Sequence, residues 1–282
     1  MSVQPKPVLV VVGVGGMGKA IARRLGPGKR ILLADFNEAT LNAAAEELRG
    51  EGLTITTATV DVSRAESIAA LGTTAAAMGP VMQVAHTAGL SPAQASAEAI
   101  FHVDLVGVAL MLDTFADVIS PGGAGLVIAS MAGHTASLYS MLSAQDELAL
   151  ATTPATELLS LPCVAAITDP GQAYSVAKRA NQVRIQAAAG PWGEHQARIN
   201  SISPGIISTP MGQQELASES GASMRAMIAG SATGRLGTPH DITAAAAFLL
   251  GPEASFITGT DLLVDGGVIA AMHSGKLARP VQ

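Results

Sequence analysis

The run Val8-Leu9-Val10-Val11-Val12-Gly13-Val14-Gly15-Gly16-Met17-Gly18 is an aliphatic stretch followed at once by a glycine-rich turn. Five successive aliphatic residues without polar alternation predict a strand buried on both faces, the habit of parallel sheets. Residues 19–25 then carry a helical pattern. Gly13, Gly15 and Gly18 fit G-x-G-x-x-G in the strand-to-helix setting that a dinucleotide site demands, where a pyrophosphate meets bare backbone N–H groups at a helix N-terminus. Gly13, Gly15, Gly16, Met17 and Gly18 are therefore candidate cofactor contacts. The bland alternative is a glycine-rich connector.

Working outward, Arg30-Ile31-Leu32-Leu33-Ala34 predicts a second strand, and it ends at Asp35, 20 residues beyond Gly15. A carboxylate at that distance accepts hydrogen bonds from the adenosine ribose hydroxyls and repels a 2′-phosphate, which predicts NAD(H) rather than NADP(H). It can also merely cap the helix opening near Asn37. Asp61, after a third strand over 53–60, carries the same ambiguity, with the adenine amino group as its other candidate partner.

Strands and helices alternate to the end of the 282 residues with no repeat and no Ser/Pro linker, which predicts one α/β domain: a doubly wound parallel sheet with helices on both faces. The chain is 49% hydrophobic but only 3% aromatic, so the core is aliphatic. A net charge of −6 and the scarcity of stacking rings argue against nucleic acid. No apolar run approaches the roughly 18 residues of a membrane span, and no signal peptide is read before the first strand. The single cysteine, Cys163, excludes an internal disulfide and suits a cytoplasmic protein. The six histidines show no ligand spacing, so no metal site is expected. Trp192 reads as packing; Met211, Met224 and Met227 read either as packing or as a greasy substrate wall.

Tyr174-Ser175-Val176-Ala177-Lys178 carries the chemistry. Spacing of i, i+4 sets a phenol and an ammonium on one helix face. A cation beside the hydroxyl favours the phenolate, so the pair can exchange a proton near neutrality. Alone, the spacing is common on ordinary helices.

Its company makes it specific. The glycine-rich turn, Asp61-Val62, His86-Thr87-Ala88-Gly89, Ser130 after a strand over 125–129, Tyr174 and Lys178, Asn200 to Gly205, Thr209-Pro210-Met211, and Val264-Asp265-Gly266-Gly267 follow one another in an order that resembles the classical short-chain dehydrogenase/reductase family over almost the whole chain. The resemblance implies Ser130, Tyr174, Lys178 and the residue at Asp104 as the catalytic set. It implies Asp35, Asp61, Val62, Thr87, Ala88, Gly89, Tyr174, Lys178, Pro204, Gly205, Ile207 and Thr209 as further cofactor contacts, with NAD as cofactor, a small alcohol or ketone as substrate, and a homo-oligomer, tetramer or dimer, as the assembly. Tyr174 would pass a proton to or from the substrate oxygen, Ser130 would hold that oxygen, and Lys178 would lower the tyrosine pKa and bind the nicotinamide ribose.

Three departures stand out. Asp104, in Val103-Asp104-Leu105-Val106-Gly107, replaces the family's asparagine, and its charge near Lys178 would weaken the pull on Tyr174. Val12 stands where many members begin their glycines. The third departure is length: 44 positions separate Ser130 from Tyr174, about 30 more than the family needs. Within this inserted segment, 132–168, the leucines over 145–161 with Pro154 between them predict two short helices, whose apolar side would seek a subunit face or a substrate pocket. The segment is predicted to cover the helix face used for assembly, with its Met141 and Leu142 end reaching toward substrate. A similar insertion, with Ala189 to Glu194, resembles the bacterial 3α-hydroxysteroid dehydrogenase/carbonyl reductase branch and implies an apolar or cyclic substrate. Residues 268–282 read as a C-terminal tail.

Three functional classes follow: an NAD-dependent alcohol dehydrogenase or ketone reductase, favoured by Ser130, Tyr174 and Lys178; a cofactor-binding sensor or scaffold with weakened chemistry, hinted at by Asp104; and an isomerase or lyase using a transient hydride, separated from the first by net NADH production.

Overall fold

The computed structural model describes residues 5–277. Its centre is a seven-stranded, all-parallel sheet in the order β3-β2-β1-β4-β5-β6-β7. The strands are β1 (Val8–Val12), β2 (Arg30–Asp35), β3 (Thr54–Thr59), β4 (Val81–His86), β5 (Ile119–Ile128), β6 (Arg198–Pro204) and β7 (Asp261–Val264). The order reverses between β1 and β4, and there the crevice at the carboxyl ends of the strands opens.

All five residues of β1 are fully buried, because each face of the sheet is covered. Val8, Val10 and Val12 pack with Val84, Met111, Phe115 and Ile185 on the side of the helices Ala65–Met78, Gly107–Val118 and Pro170–Glu194. Leu9 and Val11 pack with Ile21, Leu41, Leu48 and Ile242 on the side of the helices Gly16–Leu25, Glu38–Gly50 and Pro239–Leu249. The doubly wound reading of the sequence therefore stands. Trp192 is core: it is fully buried, and its indole N–H donates to Leu112 O at 3.1 Å.

One helix corrects the sequence reading. Ala97–Val118 is long and apolar enough to cross a membrane by composition, contrary to the expectation that no run comes close. Two-thirds of its apolar window is buried inside the protein, so it serves as a core helix. Its middle, Phe101–Val106, is π-helical, and this extra residue per turn turns Asp104 fully inward.

The inserted segment is ordered into helices at Met131–Leu138 and Ala144–Thr152, a 3₁₀ turn at Leu158–Ser160 and a short helix at Pro162–Ala165. Pro154 does interrupt it. Leu150, Leu158 and Val164 are buried with Ile100, Phe101, Leu105, Ala173, Val176 and Ala180, residues of the helices that carry Asp104 and Tyr174. Arg184 fixes the lid by donating to Leu150 O at 2.8 Å and Thr153 O at 2.9 Å, and Arg179 meets Glu147 at 2.6 Å. The leucines thus bury against a face of the chain's own helix pair, a helix face as predicted and not a substrate pocket. Leu142 packs against this same cluster, which also holds Tyr174 and Leu90.

The region read as a tail is a packed element over its described part. The helix Val268–His273 buries Val268, Ile269 and Met272 against Met131, Leu138 and Met227; residues 278–282 lie outside the described residues.

Candidate active site

A cleft of about 710 Å³ runs along the crevice, lined by Gly13, Gly15, Asp35, Asp61, Val62 and the stretch from Thr87 to Leu90, with Met211 on its far wall. Local chemistry builds its glycine loop. Gly13 has φ +88°, and a Cβ there would run into the backbone of Ala88; a Cβ on Gly18 would collide with Gly13 O. Gly15 has open space in front of it, a bare backbone facing the cleft. Thr87 braces the loop from behind by donating its hydroxyl to Gly13 O at 2.6 Å, while its own N–H and that of Ala88 bond Val12 O.

Asp35 is not the cap of the following helix. That role falls to Asn37, whose side chain accepts from Thr40 N–H at 2.9 Å. Instead Asp35 Oδ2 accepts from Val14 N–H at 2.7 Å and Oδ1 from Asn37 N–H at 2.9 Å, which ties the end of β2 to the glycine loop and leaves the remaining lone pairs toward the cleft. Asp61 accepts from Ser63 through both its N–H and its hydroxyl. Among the cleft-lining residues there is no lysine and no arginine. Bare glycine backbone, two carboxylates and a helix N-terminus form a cradle that fits a nicotinamide dinucleotide.

Not every residue of the candidate cofactor set faces this cleft. Met17 packs against the core, Ile207 is buried in it, and a Cβ on Gly205 would meet Asp265. Pro204 closes β6 in the interior. Gly16 opens the helix and lies against Thr209, which caps the helix Pro210–Ala217 by accepting from Gly212 N–H at 3.1 Å. Gly205 and Ile207 line a second, smaller cavity of about 200 Å³ together with Val264, Asp265 and Gly266.

The catalytic candidates do converge. Gly89, on the cleft wall, lies directly against Asp104 and Lys178. Lys178 Nζ is 2.9 Å from Asp104 Oδ2 and 5.4 Å from the centre of the Tyr174 ring, and both members of the ion pair are buried. Leu90 N–H holds the other oxygen of Asp104 at 2.8 Å. Ser130 is the N-cap of the helix Met131–Leu138, and its hydroxyl is near enough to Tyr174 to pull the phenol's pKa down.

Charges in this cluster set one another. Burial pushes the Tyr174 phenol up; Lys178 and the Ser130 hydroxyl pull it down, while Asp104 and Glu215 push it further up, and the net shift is upward. The sequence reading had Lys178 winning. Without the positive ring of an oxidised cofactor, desolvation and two carboxylates outweigh one ammonium. Burial also raises the Asp104 carboxyl against the opposing pull of Lys178, and it works to lower Lys178, where Asp104 and Tyr174 prevail and hold the ammonium above its ordinary value.

Three features were not foreseen. His86 is fully buried with neither ring nitrogen partnered, and burial together with the Lys178 charge drives its pKa down to about 3, so it is neutral. Behind Ser130, Gln182 Nε2 donates to Ser203 Oγ at 2.9 Å, Ser203 donates to Asp261, and His134 meets Asp261 at 2.7 Å, so His134 is a structural partner and not a pocket wall. Glu215, the third, stands one helical turn after Met211; that spacing was the available signal.

The comparisons with known proteins agree with this geometry. The family model described as short chain dehydrogenase matches residues 6–142, and that described as Enoyl-(Acyl carrier protein) reductase matches residues 135–269. The chain is 41% identical over 272 residues to the short-chain dehydrogenase/reductase bsc3 of Alternaria brassicicola, covering 93% of this chain and 95% of that protein. It is 28% identical to a cyclopentanol dehydrogenase of Comamonas, over 95% and 98% of the two chains. A short-chain type dehydrogenase/reductase from Mycobacterium ulcerans superposes with a TM-score of 0.72 at 25% identity, over 96% and 92%. The chain belongs to the short-chain dehydrogenase/reductase family, oxidoreductases of alcohols and ketones that use a nicotinamide cofactor.

Proposed function

We propose that this protein is an NAD(H)-dependent oxidoreductase that interconverts an apolar or cyclic secondary alcohol and its ketone. The observation that carries the reading is the meeting of Ser130, Tyr174 and Lys178 behind the wall of a cleft whose lining offers glycine backbone and two carboxylates but no lysine or arginine. The bound nicotinamide supplies the hydride acceptor or donor. In alcohol oxidation the Tyr174 phenolate takes the hydroxyl proton; in ketone reduction the phenol returns it to the same oxygen. Ser130 holds that oxygen through its hydroxyl. Lys178, anchored on Asp104, keeps a positive charge beside the phenolate. Met211, Leu90 and Val103 add apolar wall, and the cyclopentanol dehydrogenase among the relatives supports a cyclic carbon frame.

Asp35 supports the choice of NAD(H), because a 2′-phosphate would face its carboxylate with no cation near it. Fluorescence titration should give clearly tighter binding of NADH than of NADPH, and Asp35→Ser should reduce the difference at least tenfold. Equal affinities in the parent protein would contradict the assignment. A scaffold reading rests on the Asp104–Lys178 pair; it requires NADH binding without NAD⁺ reduction by any secondary alcohol in a panel of sterols, cyclic alcohols and hydroxyacyl compounds.

A further inference from the structure

The helix Pro210–Ala217 begins against the glycine loop, since Thr209 lies next to Gly16, and Met211 lines the cleft. Residues four apart share a helix face, so Glu215 stands about 6 Å further along the side that Met211 presents to the cleft. Leu90 and Gln94 line the same cleft. The helix and this lining are joined: Gln94 Nε2 donates to Gln214 Oε1 at 2.7 Å. Ser91 is fully buried between them, and its hydroxyl lies against Glu215 without closing a short hydrogen bond. Glu215 is half-buried, has no cation among its partners, and its charge is felt at the Tyr174 phenol.

A partly desolvated carboxylate one helical turn beyond a cleft-lining residue, with no cation among its partners, is costly unless a ligand supplies donors. We infer that Glu215 is a specificity residue that accepts a hydrogen bond from a second hydroxyl next to the reacting carbinol, and so selects cyclic vicinal diols over cyclic mono-alcohols and over anionic substrates. The inference rests on the oxidoreductase reading and adds the second functional group of the substrate. A site built to bond a hydroxyl discriminates against the analogue lacking it far more than an apolar pocket discriminates a methylene. The same negative charge disfavours 2-hydroxy carboxylates.

The test compares 1,2-cyclopentanediol with cyclopentanol in the parent enzyme, Glu215→Gln and Glu215→Ala. The ratio of kcat/KM for diol over mono-ol should fall about ten- to a hundredfold in Glu215→Ala, mostly through KM, with Glu215→Gln in between because an amide oxygen still accepts. Lactate-like 2-hydroxy acids should gain relative to cyclopentanol in Glu215→Gln. An unchanged ratio in Glu215→Ala would overturn the inference. If the parent turns over neither alcohol, the oxidoreductase reading falls, and equilibrium binding of the two alcohols to the NADH complex still decides: selective loss of diol binding in Glu215→Ala supports Glu215, equal binding refutes it. NADH affinity measured alongside reports that each variant is folded.

Discussion

The cofactor end of the cleft and its catalytic end are built from different materials. Around Gly13, Gly15 and Asp35 the surface is backbone N–H and carboxylate, held by local hydrogen bonds such as Asp35 to Val14. Around Tyr174, Lys178, Asp104 and Glu215 it is a group of ionisable side chains withdrawn from water, each altering the proton affinity of the next. Binding a dinucleotide needs shape and donors that glycine and a helix terminus provide on their own. Moving a proton needs charges whose strength depends on burial, so that end is sensitive to every neighbour.

Tyr174→Phe should break the catalytic end and spare the other. Removing the transferable proton should lower kcat by about 10²–10⁴-fold, while NADH affinity, measured by fluorescence, stays within twofold. Comparable losses in both would mean that the two ends are not separable. Next in size are the supports behind the catalytic helix. Leu158 is fully buried and Leu148 is 64% exposed, so Leu158→Ala should cost about 2–5 kcal/mol in urea unfolding and Leu148→Ala less than about 0.5 kcal/mol. Similar costs at both positions would contradict the packing of the inserted segment on this helix pair.

The smallest effect sharpens the electrostatics. Asp104 pushes the Tyr174 phenol up, so Asp104→Asn removes an upward push and the phenolate forms at lower pH. The rise of alcohol oxidation with pH should therefore move to the acid side, with little change in the pH-independent NADH affinity. A move to the alkaline side would mean that Asp104 acts chiefly by holding Lys178 in place, and an unmoved profile would take its side chain off the proton path.

The same contrast explains what could be read from sequence. The glycine loop, Asp35 and the Tyr174–Lys178 pair were legible because each is fixed by short-range spacing: strand, turn, helix, or four residues along one helix. The net pKa direction of Tyr174 was not, because it depends on Asp104 and Glu215 arriving from two other helices. Pro204, Gly205 and Ile207 were placed on the cofactor by resemblance; that they lie outside the lining of the main cleft, Gly205 against Asp265, could not be read from spacing. The leucines of the inserted segment announced a buried face; which face they cover became visible only once the helices Ala97–Val118 and Pro170–Glu194 lay side by side, since nothing in their spacing names a partner.

The central claim is direct hydride transfer from a secondary carbinol to the nicotinamide, with Tyr174 taking the proton. A cyclic secondary alcohol deuterated at the carbinol carbon, incubated with NAD⁺ in ordinary water, tests it by mass spectrometry of the reduced cofactor. The account predicts NADH carrying one deuterium from the parent enzyme and almost none from Tyr174→Phe over the same period. Unlabelled NADH, ketone formed without reduced cofactor, or labelled NADH at equal rates from both proteins would contradict it.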